Sequence, residues 1–500
     1  MNEYGGLAVY SNNGASLLIS APAGEWGPEN ITTTDIDGTI YGYNGLDSAG
    51  DYTDDFNGTS AAAPMVAGVA ALVLSANQDL GWRDVKEILA RSAAYTGTKD
   101  GVSSSNAQED WSWGINGAMN WNGGGLHYSQ DYGFGRVQAE AAVALAQTWF
   151  LDGSSAQTSS NEQSTTVSMT GGVTAADDSL LSITFDVTAD FEVNHAQLYL
   201  DWSNSDYASN WTVTLISPNS TSYILAHPEH AMLGEYFGGS FYDIETIIGF
   251  GRTDWTFGAE GFLGEKSSGT WTLNIQDSND GRILADSNDF SILDADLTLT
   301  GTAASTNTTY YYTDEYATML AEDAGRASIV DSDGGTDTLN AAAVTSDIMI
   351  DLTPGATNGG LFVIDAGTTL ENAIGGSGND SVTGNTANNK FWGREGSDTI
   401  DGGAGDDWLS GGYGNDLLTG GTGADTFSFT FASGIDFITD FEVGTDTIEL
   451  VGYGLDSADV FDLLSFDGSG NAQFNDGGTQ IIFSGIDALA GVEDSFVLIA

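Results

Sequence analysis

Cysteine is absent from the 500 residues, proline occurs 6 times, and 11 basic side chains face 71 acidic ones. Without cysteine there are no disulfides and no thiolate metal sites, which leaves calcium as the candidate staple. A formal charge of -60 makes nucleic acid and anionic membrane surfaces poor partners, because their phosphates would be repelled. A basic substrate or a divalent cation suits that charge better. Scarce proline beside 67 glycines excludes collagen and polyproline and points to many tight turns. Long apolar runs are also missing, so no segment reads as a membrane span, and no basic, apolar signal peptide opens the chain. What is present is apolar enough to fold: hydrophobic residues are 41% and aromatics 11%, too many for a disordered acidic chain. The length allows two to four domains.

The stretch from Asp54 to Leu74, DDFNGTSAAAPMVAGVAALVL, puts the hydroxyl of Ser60 on a turn leading into a helix of small and apolar residues. Gly58 permits the tight turn, and Pro64 fits a first helical turn, where its missing amide costs nothing. Ala63, Val66, Ala67, Ala70 and Leu74 recur at helical spacing, with Ala and Gly on most other faces, so the helix is expected to be buried all round. A serine at such a helix start has the fixed placement a nucleophile needs, with backbone amides nearby for an oxyanion.

GTSAAAP and the following MVAGVAALVLSANQDLGWRDVKEIL resemble the serine block of subtilisin-like proteases, in particular the kexin and furin branch. The resemblance implies that Ser60 is the nucleophile of a Ser-His-Asp triad. In that family the Asp and His precede the Ser along the chain. The four histidines here are His127, His195, His227 and His230, all downstream of Ser60. The chain is therefore expected to be the C-terminal part of a protease, starting inside its catalytic domain. SNNGASLLISAPAGEWGPENITTTDIDG is similar to the branch's approach to the serine block, and Tyr132 to Trp149 resembles its last catalytic-domain helix. Thr32 to Asn57 reads as a long loop. Trp111, Trp113 and Trp121 lie in a polar excursion, where they either shape a substrate rim or pack beneath a long loop.

From Leu181 the apolar pattern alternates: Leu181-Ile183-Phe185-Val187, His195-Gln197-Tyr199 and Trp211-Val213-Leu215 read as strands. NWTVTLISPNSTSYIL, GFGRTDWTFGAEGFLGEKSSGTWTLNIQD and DLTLTGT resemble the P domain of kexin-type proteases, a jelly-roll sandwich. Asp277, Asp280 and Asp286 are read as solvated turn carboxylates rather than calcium ligands.

Further on the period becomes nine. Units open at Gly375, Gly384, Gly393, Gly402, Gly411 and Gly420 and read GGSGNDSVT, GNTANNKFW, GREGSDTID, GGAGDDWLS, GGYGNDLLT and GGTGADTFS. This is the G-G-x-G-x-D-x-U-x pattern of a calcium-binding β-roll. Its aspartate falls at Asp380, Asp398, Asp407, Asp416 and Asp425, with Asn389 in that place in the second unit. Its inward apolar residue is Val382, Phe391, Ile400, Leu409, Leu418 and Phe427. Two units make one coil, so units two apart stack, and calcium is expected between stacked turns. The expected pairs are Asp380 with Asp398, Asp398 with Asp416, and Asp407 with Asp425. The turn glycines Gly376, Gly378, Gly403, Gly405, Gly412, Gly414, Gly421 and Gly423 would add backbone oxygens. Asn389, a neutral ligand in an irregular unit, is expected to matter little.

DSDGGTDTLNAAA, GTTLENAIGGSGND and DFITDFEVGTDTIEL resemble the C-terminal domain of serralysin-type secreted proteases. No HExxH occurs, so that resemblance brings the roll and not a zinc site. The ending, Glu493-Asp494 followed by Ser495-Phe496-Val497-Leu498-Ile499-Ala500, resembles a C-terminal signal for type I secretion.

The expected organisation is a multidomain chain. Residues 1–151 are the C-terminal part of an α/β subtilisin-like domain, 152–176 a linker and 177–303 an all-β jelly-roll P domain. Residues 304–326 are a second linker and 327–500 a parallel β-roll. The function this implies is a secreted bacterial, calcium-dependent serine endopeptidase acting on peptides with basic residues, incomplete in this chain. The alternative is a non-catalytic secreted calcium-binding or adhesive protein.

Overall fold

The computed structural model describes the chain apart from residues 2–4, 9–10, 12, 25–30, 35–51, 98–111, 177–178, 204–210, 227–253, 278–289, 360–361 and 500. It divides into two compact units. One comprises Met1–Met119, Gly125–Ala139 and Ala156–Ala304; the other comprises Asn120–Gly124, Glu140–Ser155 and Ser305–Ala500.

The first unit opens with an α/β segment. Strands β1 (Ile31–Thr34) and β2 (Tyr52–Phe56) pair antiparallel, so the described parts of the stretch expected as loop form a short ladder. Two helices follow, α1 (Thr59–Ala76) and α2 (Trp82–Arg91). Gly58, at φ 91, supplies the left-handed turn that starts α1. The helix starts at Thr59, which places Pro64 beyond the first turn, contrary to expectation. Lacking an amide hydrogen, Pro64 leaves the Ser60 carbonyl without its usual intrahelical donor. Burial of α1 also departs from the sequence reading. Ala61, Val69 and Val73 are buried on one stripe, while Leu72 is 52% and Leu74 42% exposed. With 18 residues, α1 is also long and apolar enough to cross a membrane by length and composition, where the sequence was expected to contain no such run.

After the short antiparallel pair of β3 (Gly114–Ile115) and β4 (His127–Tyr128), the rest of this unit is a sandwich. One antiparallel sheet runs β7 (Leu180–Val187), β12 (Gly269–Asp277), β9 (Trp211–Ile216) and β10 (Ser222–Ala226). The other runs β5 (Gln163–Ser168), β13 (Phe290–Ala303), β8 (Phe191–Trp202) and β11 (Asp254–Ala259). Strand β5 and the short β6 (Val173–Ala175), which pairs with β13, lie inside the stretch expected to be a linker. Their Ser/Thr-rich composition suits a solvated outer strand as well as a linker, and only pairing with β13 decides between them. In β8 the inward residues are Ala196, Leu198 and Leu200; the alternating set read from the sequence, His195, Gln197 and Tyr199, faces outward.

Arg83 of α2 is a hub. Its guanidinium donates to Asn194 Oδ1, the Gly301 carbonyl, Thr302 Oγ1, Gln157 Oε1, the Thr158 carbonyl and Asn161 Oδ1, at 2.7–3.1 Å. The residue is 2% exposed. It thus binds helix α2, the chain leading into β5 and the sandwich strands β8 and β13 into one body.

The second unit is the roll. Its first sheet stacks strands in the order Thr309–Thr313, Thr338–Ala343, Asn372–Ile374, Lys390–Glu395, Trp408–Tyr413, Thr426–Thr430, Thr447–Val451 and Phe496–Ile499, all parallel. The second begins with Met349–Asp351, Ser381–Thr383, Thr399–Asp401, Leu417–Thr419 and Ile435–Ile438 and closes on a small antiparallel meander ending at Leu464–Phe466. Every sequence-read inward residue from Val382 to Phe427 is at most 2% exposed, Val382, Ile400 and Leu418 from one sheet facing Phe391, Leu409 and Phe427 from the other in one continuous core. The stretch 304–326, read as a linker, holds a buried strand and the helix Tyr316–Glu322. Tyr310, Tyr311 and Tyr312 are all buried there. The helix α3 (Ala139–Thr148) is built into this unit from Glu140 onward. Thr148 Oγ1 accepts from Asn340 Nδ2 at 3.1 Å, and Trp149 stacks on Tyr311 at 5.5 Å.

Replacing Arg83 by Met leaves several buried acceptors unpaired at about 1–3 kcal/mol each. The full chain is expected to lose about 3 kcal/mol or more of stability in urea denaturation followed by tryptophan fluorescence. Arg83→Lys should recover only part of it, since an ammonium has three donors and no fork. An unchanged midpoint for Arg83→Met overturns the role given to this residue.

Candidate functional site

Ser60 stands exposed in the first turn of α1, directly after the positive-φ turn at Gly58. The Gly58 amide is held by the Ala23 carbonyl at 3.0 Å and its carbonyl accepts from Ala61 N at 2.9 Å, so the turn is pinned at both ends. Alongside runs a cavity of about 290 Å³ lined by Thr59, Ala62, Ala63, Val66, Leu17 and Ile19. An exposed hydroxyl at the positive end of a helix, on a fixed turn, is suited to nucleophilic attack once a base is present. His127 is engaged elsewhere: it is 3% exposed and its Nε2 lies 2.6 Å from the Phe134 carbonyl. His195 sits with Glu260, Nδ1 to Oε1 3.1 Å. His227 and His230 lie outside the described residues, as do Asp280, Asp286 and Trp111. Trp113 is half-buried, parallel to Tyr132 at 5.9 Å and edge-on to His127 at 4.9 Å. Trp121 is fully buried. Neither forms a substrate rim.

The second candidate region is the stack of turns. On one edge the Asp380 amide donates to Asp398 Oδ1 at 2.7 Å, Asp398 to Asp416 Oδ1 at 2.9 Å and Asp416 to Asp436 Oδ1 at 3.1 Å. On the other, Asn389 donates to Asp407 Oδ1 at 2.7 Å, Asp407 to Asp425 Oδ1 at 2.9 Å and Asp425 to Asp446 Oδ1 at 3.0 Å. All three expected pairs are brought together, and each aspartate spends one oxygen on the neighbouring turn.

The second oxygens distinguish the levels. Oδ2 of Asp398, Asp407 and Asp416 is buried with no hydrogen-bond partner. Each faces the glycine that opens its own unit: a Cβ on Gly393, Gly402 or Gly411 would stand 2.3, 2.6 or 2.1 Å from that oxygen. The second glycines Gly403, Gly412 and Gly421 hold φ of 94, 99 and 96°, and the fourth ones Gly405, Gly414 and Gly423 hold 129, 148 and 147°. Backbone oxygens close in at the same places, since a Cβ on Gly421 or Gly423 would meet the carbonyl of Gly403 or Gly405 at 2.0 or 1.9 Å. Gly376 and Gly378 are required by close approach alone, to the Val344 carbonyl and the Asp347 amide. At the turns of Asp398, Asp407 and Asp416 the result is a cradle of carbonyl oxygens with one orphaned carboxylate oxygen, a donor set that fits a hard cation. Among the described residues no three Asp, Glu or His side chains gather into a cluster, so backbone oxygen supplies most of the set.

The bare cradle is electrostatically strained. Burial pushes Asp398, Asp407 and Asp436 up to about 7 and Asp380 up to about 6; at Asp398 the charges of Asp380 and Asp416 add to it. Asp416 and Asp425 are raised by burial as well.

Sequence reasoning missed Asp436 and Asp446, because the spacing lengthens from 18 to 20 and 21 residues where the glycine pattern ends. An aspartate preceding a β-rich triplet was the remaining signal. Asn389 was misjudged: it is 1% exposed, accepts from Asn385 N at 3.0 Å and donates to the Glu371 carbonyl at 2.9 Å.

Comparison with known proteins fits this division. The Subtilase family model matches residues 1–135, the proprotein convertase P-domain model residues 193–290 and the peptidase M10 serralysin C-terminal model residues 293–481. Segment by segment, the chain is thus similar to a subtilisin/kexin-type catalytic region, its P domain and a serralysin C-terminal domain. The extracellular serine protease of Aeromonas sobria is 28% identical over 312 residues, 56% of this chain and 48% of the relative. Kexin of Saccharomyces cerevisiae is 26% identical over 281 residues, 54% of this chain and 28% of the relative. The calcium-dependent protease of Trichormus variabilis is 35% identical over 153 residues, 29% of this chain and 20% of the relative. The chain thus spans about half the length, or less, of the curated relatives it matches. This kinship supports an extracellular, secreted location.

Because the folded carboxylates titrate above their unfolded value of about 4, the cation-free roll takes up protons on folding. Its stability in chelator is therefore greatest below pH 4 and is lost as pH rises through about 7. Circular dichroism in chelator should show β-structure gained as pH falls from 8 to 5. Saturating calcium should flatten that dependence. A pH-independent signal in chelator counts against it.

Proposed function

We propose that Ser60 is the acylated nucleophile of a secreted, calcium-dependent kexin-like endopeptidase whose His, Asp and oxyanion amide lie in sequence outside these 500 residues. The observation that carries the reading is the exposed Ser60 on the pinned Gly58 turn, within the segment matched by the Subtilase model. The Ser60 hydroxyl would attack the substrate carbonyl while an imidazole takes its proton, and water would then release the acyl group. The half-open flank of α1 and the cavity beside Thr59 are where further catalytic-domain chain would pack. Peptides with basic residues suit both the branch and the charge of -60.

Calcium would be held by Asp398, Asp407, Asp416 and Asp425 with the carbonyls of the turn glycines, where it supplies the positive charge that cancels oxygen repulsion between stacked turns. Its binding would select the folded roll and pull folding forward outside the cell, where calcium is plentiful. An unfolded, calcium-free roll suits passage through a type I secretion channel, with the C-terminal acidic-apolar segment as its signal. In the folded state that segment is a short 3-10 turn and an edge strand, Glu493–Ser495 and Phe496–Ile499.

Residues 1–500 are expected to show no peptidase activity in a fluorogenic assay, since losing one triad member alone costs on the order of a thousand-fold or more. Joined to an upstream segment carrying the Asp and His, the chain should cleave, and Ser60→Ala should abolish it. Cleavage by the 500-residue chain that disappears in Ser60→Ala would reveal a different base. Failure of the joined protein would favour a non-catalytic calcium-binding protein.

Adding millimolar calcium to the chelated chain should restore β-structure. Asp398→Ala should raise the calcium midpoint most, about ten-fold or more, because Asp398 is shared by two levels. A calcium midpoint unmoved by Asp398→Ala removes that residue from the ligand set.

A further inference from the structure

The repeat asks for glycine in the second place of each turn, and in the unit opening at Gly393 that place is Arg394. Arg394 nevertheless keeps the glycine backbone: its φ is 80°, beside 94, 99 and 96° at Gly403, Gly412 and Gly421. A side chain there is strained, so the sequence retains one at a conformational cost. Its guanidinium explains the exception. Nη1 donates to the Ala342 carbonyl at 3.0 Å and the Gly376 carbonyl at 3.3 Å, and Nη2 to Gln147 Oε1 of α3 at 2.9 Å. Gly376 is the second residue of the turn one level earlier on the same edge. These are turn carbonyls of the kind a hard cation would draw on.

The carboxylates divide at the same level. Asp380 has both oxygens occupied, Oδ1 by the Ile348 amide at 3.0 Å and Oδ2 by the Gly376 amide at 2.6 Å. One and two levels on, Asp398 and Asp416 keep Oδ2 buried and unpartnered. The opposite edge repeats the arrangement with amides. Asn385, also in a second-glycine place, donates from Nδ2 to the Leu352 and Leu370 carbonyls at 3.2 and 2.8 Å. Asn389, in the aspartate place, donates to the Glu371 carbonyl at 2.9 Å. The first orphaned carboxylate on that edge is Asp407.

We infer that the roll opens on a level that needs no calcium: Arg394 on one edge, and Asn385 with Asn389 on the other, are resident donors standing where calcium stands further along. Calcium loading then starts at the turns of Asp398 and Asp407, and Asp380 is a structural carboxylate rather than a ligand. Through Gln147 the same guanidinium holds α3 to the calcium-free level. The inference rests on the calcium reading of the later turns and deepens it by giving folding a fixed starting end.

Bound calcium per chain, measured by elemental analysis and isothermal titration on the full 500-residue protein, tests it. Arg394→Gly restores the repeat and relieves the strained φ, and is expected to bind about one additional calcium ion. Hydrogen exchange of the unmutated chain in chelator is the second measurement. The amides of Gly376 and Ser377 should stay protected while those of Asp398, Asp407 and Asp416 exchange. Arg394→Gly should lose the first protection in chelator and regain it with calcium. Equal calcium counts in the two proteins, or uniform exchange across all turns in chelator, overturn the resident-donor inference alone. An unmutated chain that binds no calcium overturns the calcium reading as well.

Discussion

The roll depends on one constraint: stacked turns present oxygen to oxygen, and something positive must stand between them. Each turn presents backbone carbonyls, and its carboxylate reaches back to the preceding turn along its edge. The amide of the preceding aspartate position satisfies one carboxylate oxygen, and at Asp398, Asp407 and Asp416 the other is left buried and unpartnered. A buried, unpaired carboxylate oxygen is expensive, and its neighbours in the stack carry the same charge. Burial raises the titration of Asp398, Asp407 and Asp436, and the neighbouring carboxylates add to it. Two facing rows of inward side chains, from Val382 to Phe427, make up most of the apolar core of these coils. Such a module has little reserve against charge, so its stability is tied to whatever neutralises the turns.

The other unit solves the same problem differently. Its sandwich buries two facing sheets of aromatic and branched side chains, and its buried hub Arg83 donates to neutral acceptors. The helix bearing Ser60 has a third character. It is packed along one stripe and leaves large apolar side chains such as Leu72 and Leu74 exposed. The Ser60 helix, the sandwich and the roll are therefore stabilised by different interactions, and each should respond to different solution conditions.

Much of this was legible in the residue pattern, because patterns with short physical periods carry their own geometry. Glycine at three places in nine, an aspartate in the sixth and an apolar residue in the eighth force a turn, a carboxylate facing the neighbouring turn and an inward strand residue. The register of 18 residues between stacked aspartates follows from two units per coil, and the structure keeps it. The serine block was equally plain, since a glycine, a hydroxyl and a small-residue helix occur together only for a few purposes.

Short-range residue order carried the local chemistry: the turns, the serine at a helix start, the alternating strands and the acidic surplus. Tertiary structure alone decided where polar stretches belong. Residues 163–168 have the composition of a linker and 309–313 lie in a stretch read as one, yet pairing with β13 and with Thr338–Ala343 makes them strands. It also decided which side of β8 faces inward, how many faces of α1 are covered, and that Arg394, Asn385 and Asn389 serve as donors instead of flaws in a repeat. The reason is common to all of these. Pairing partners, covering layers and the carbonyls a side chain can reach come from residues distant in the chain, and a local pattern contains no information about them.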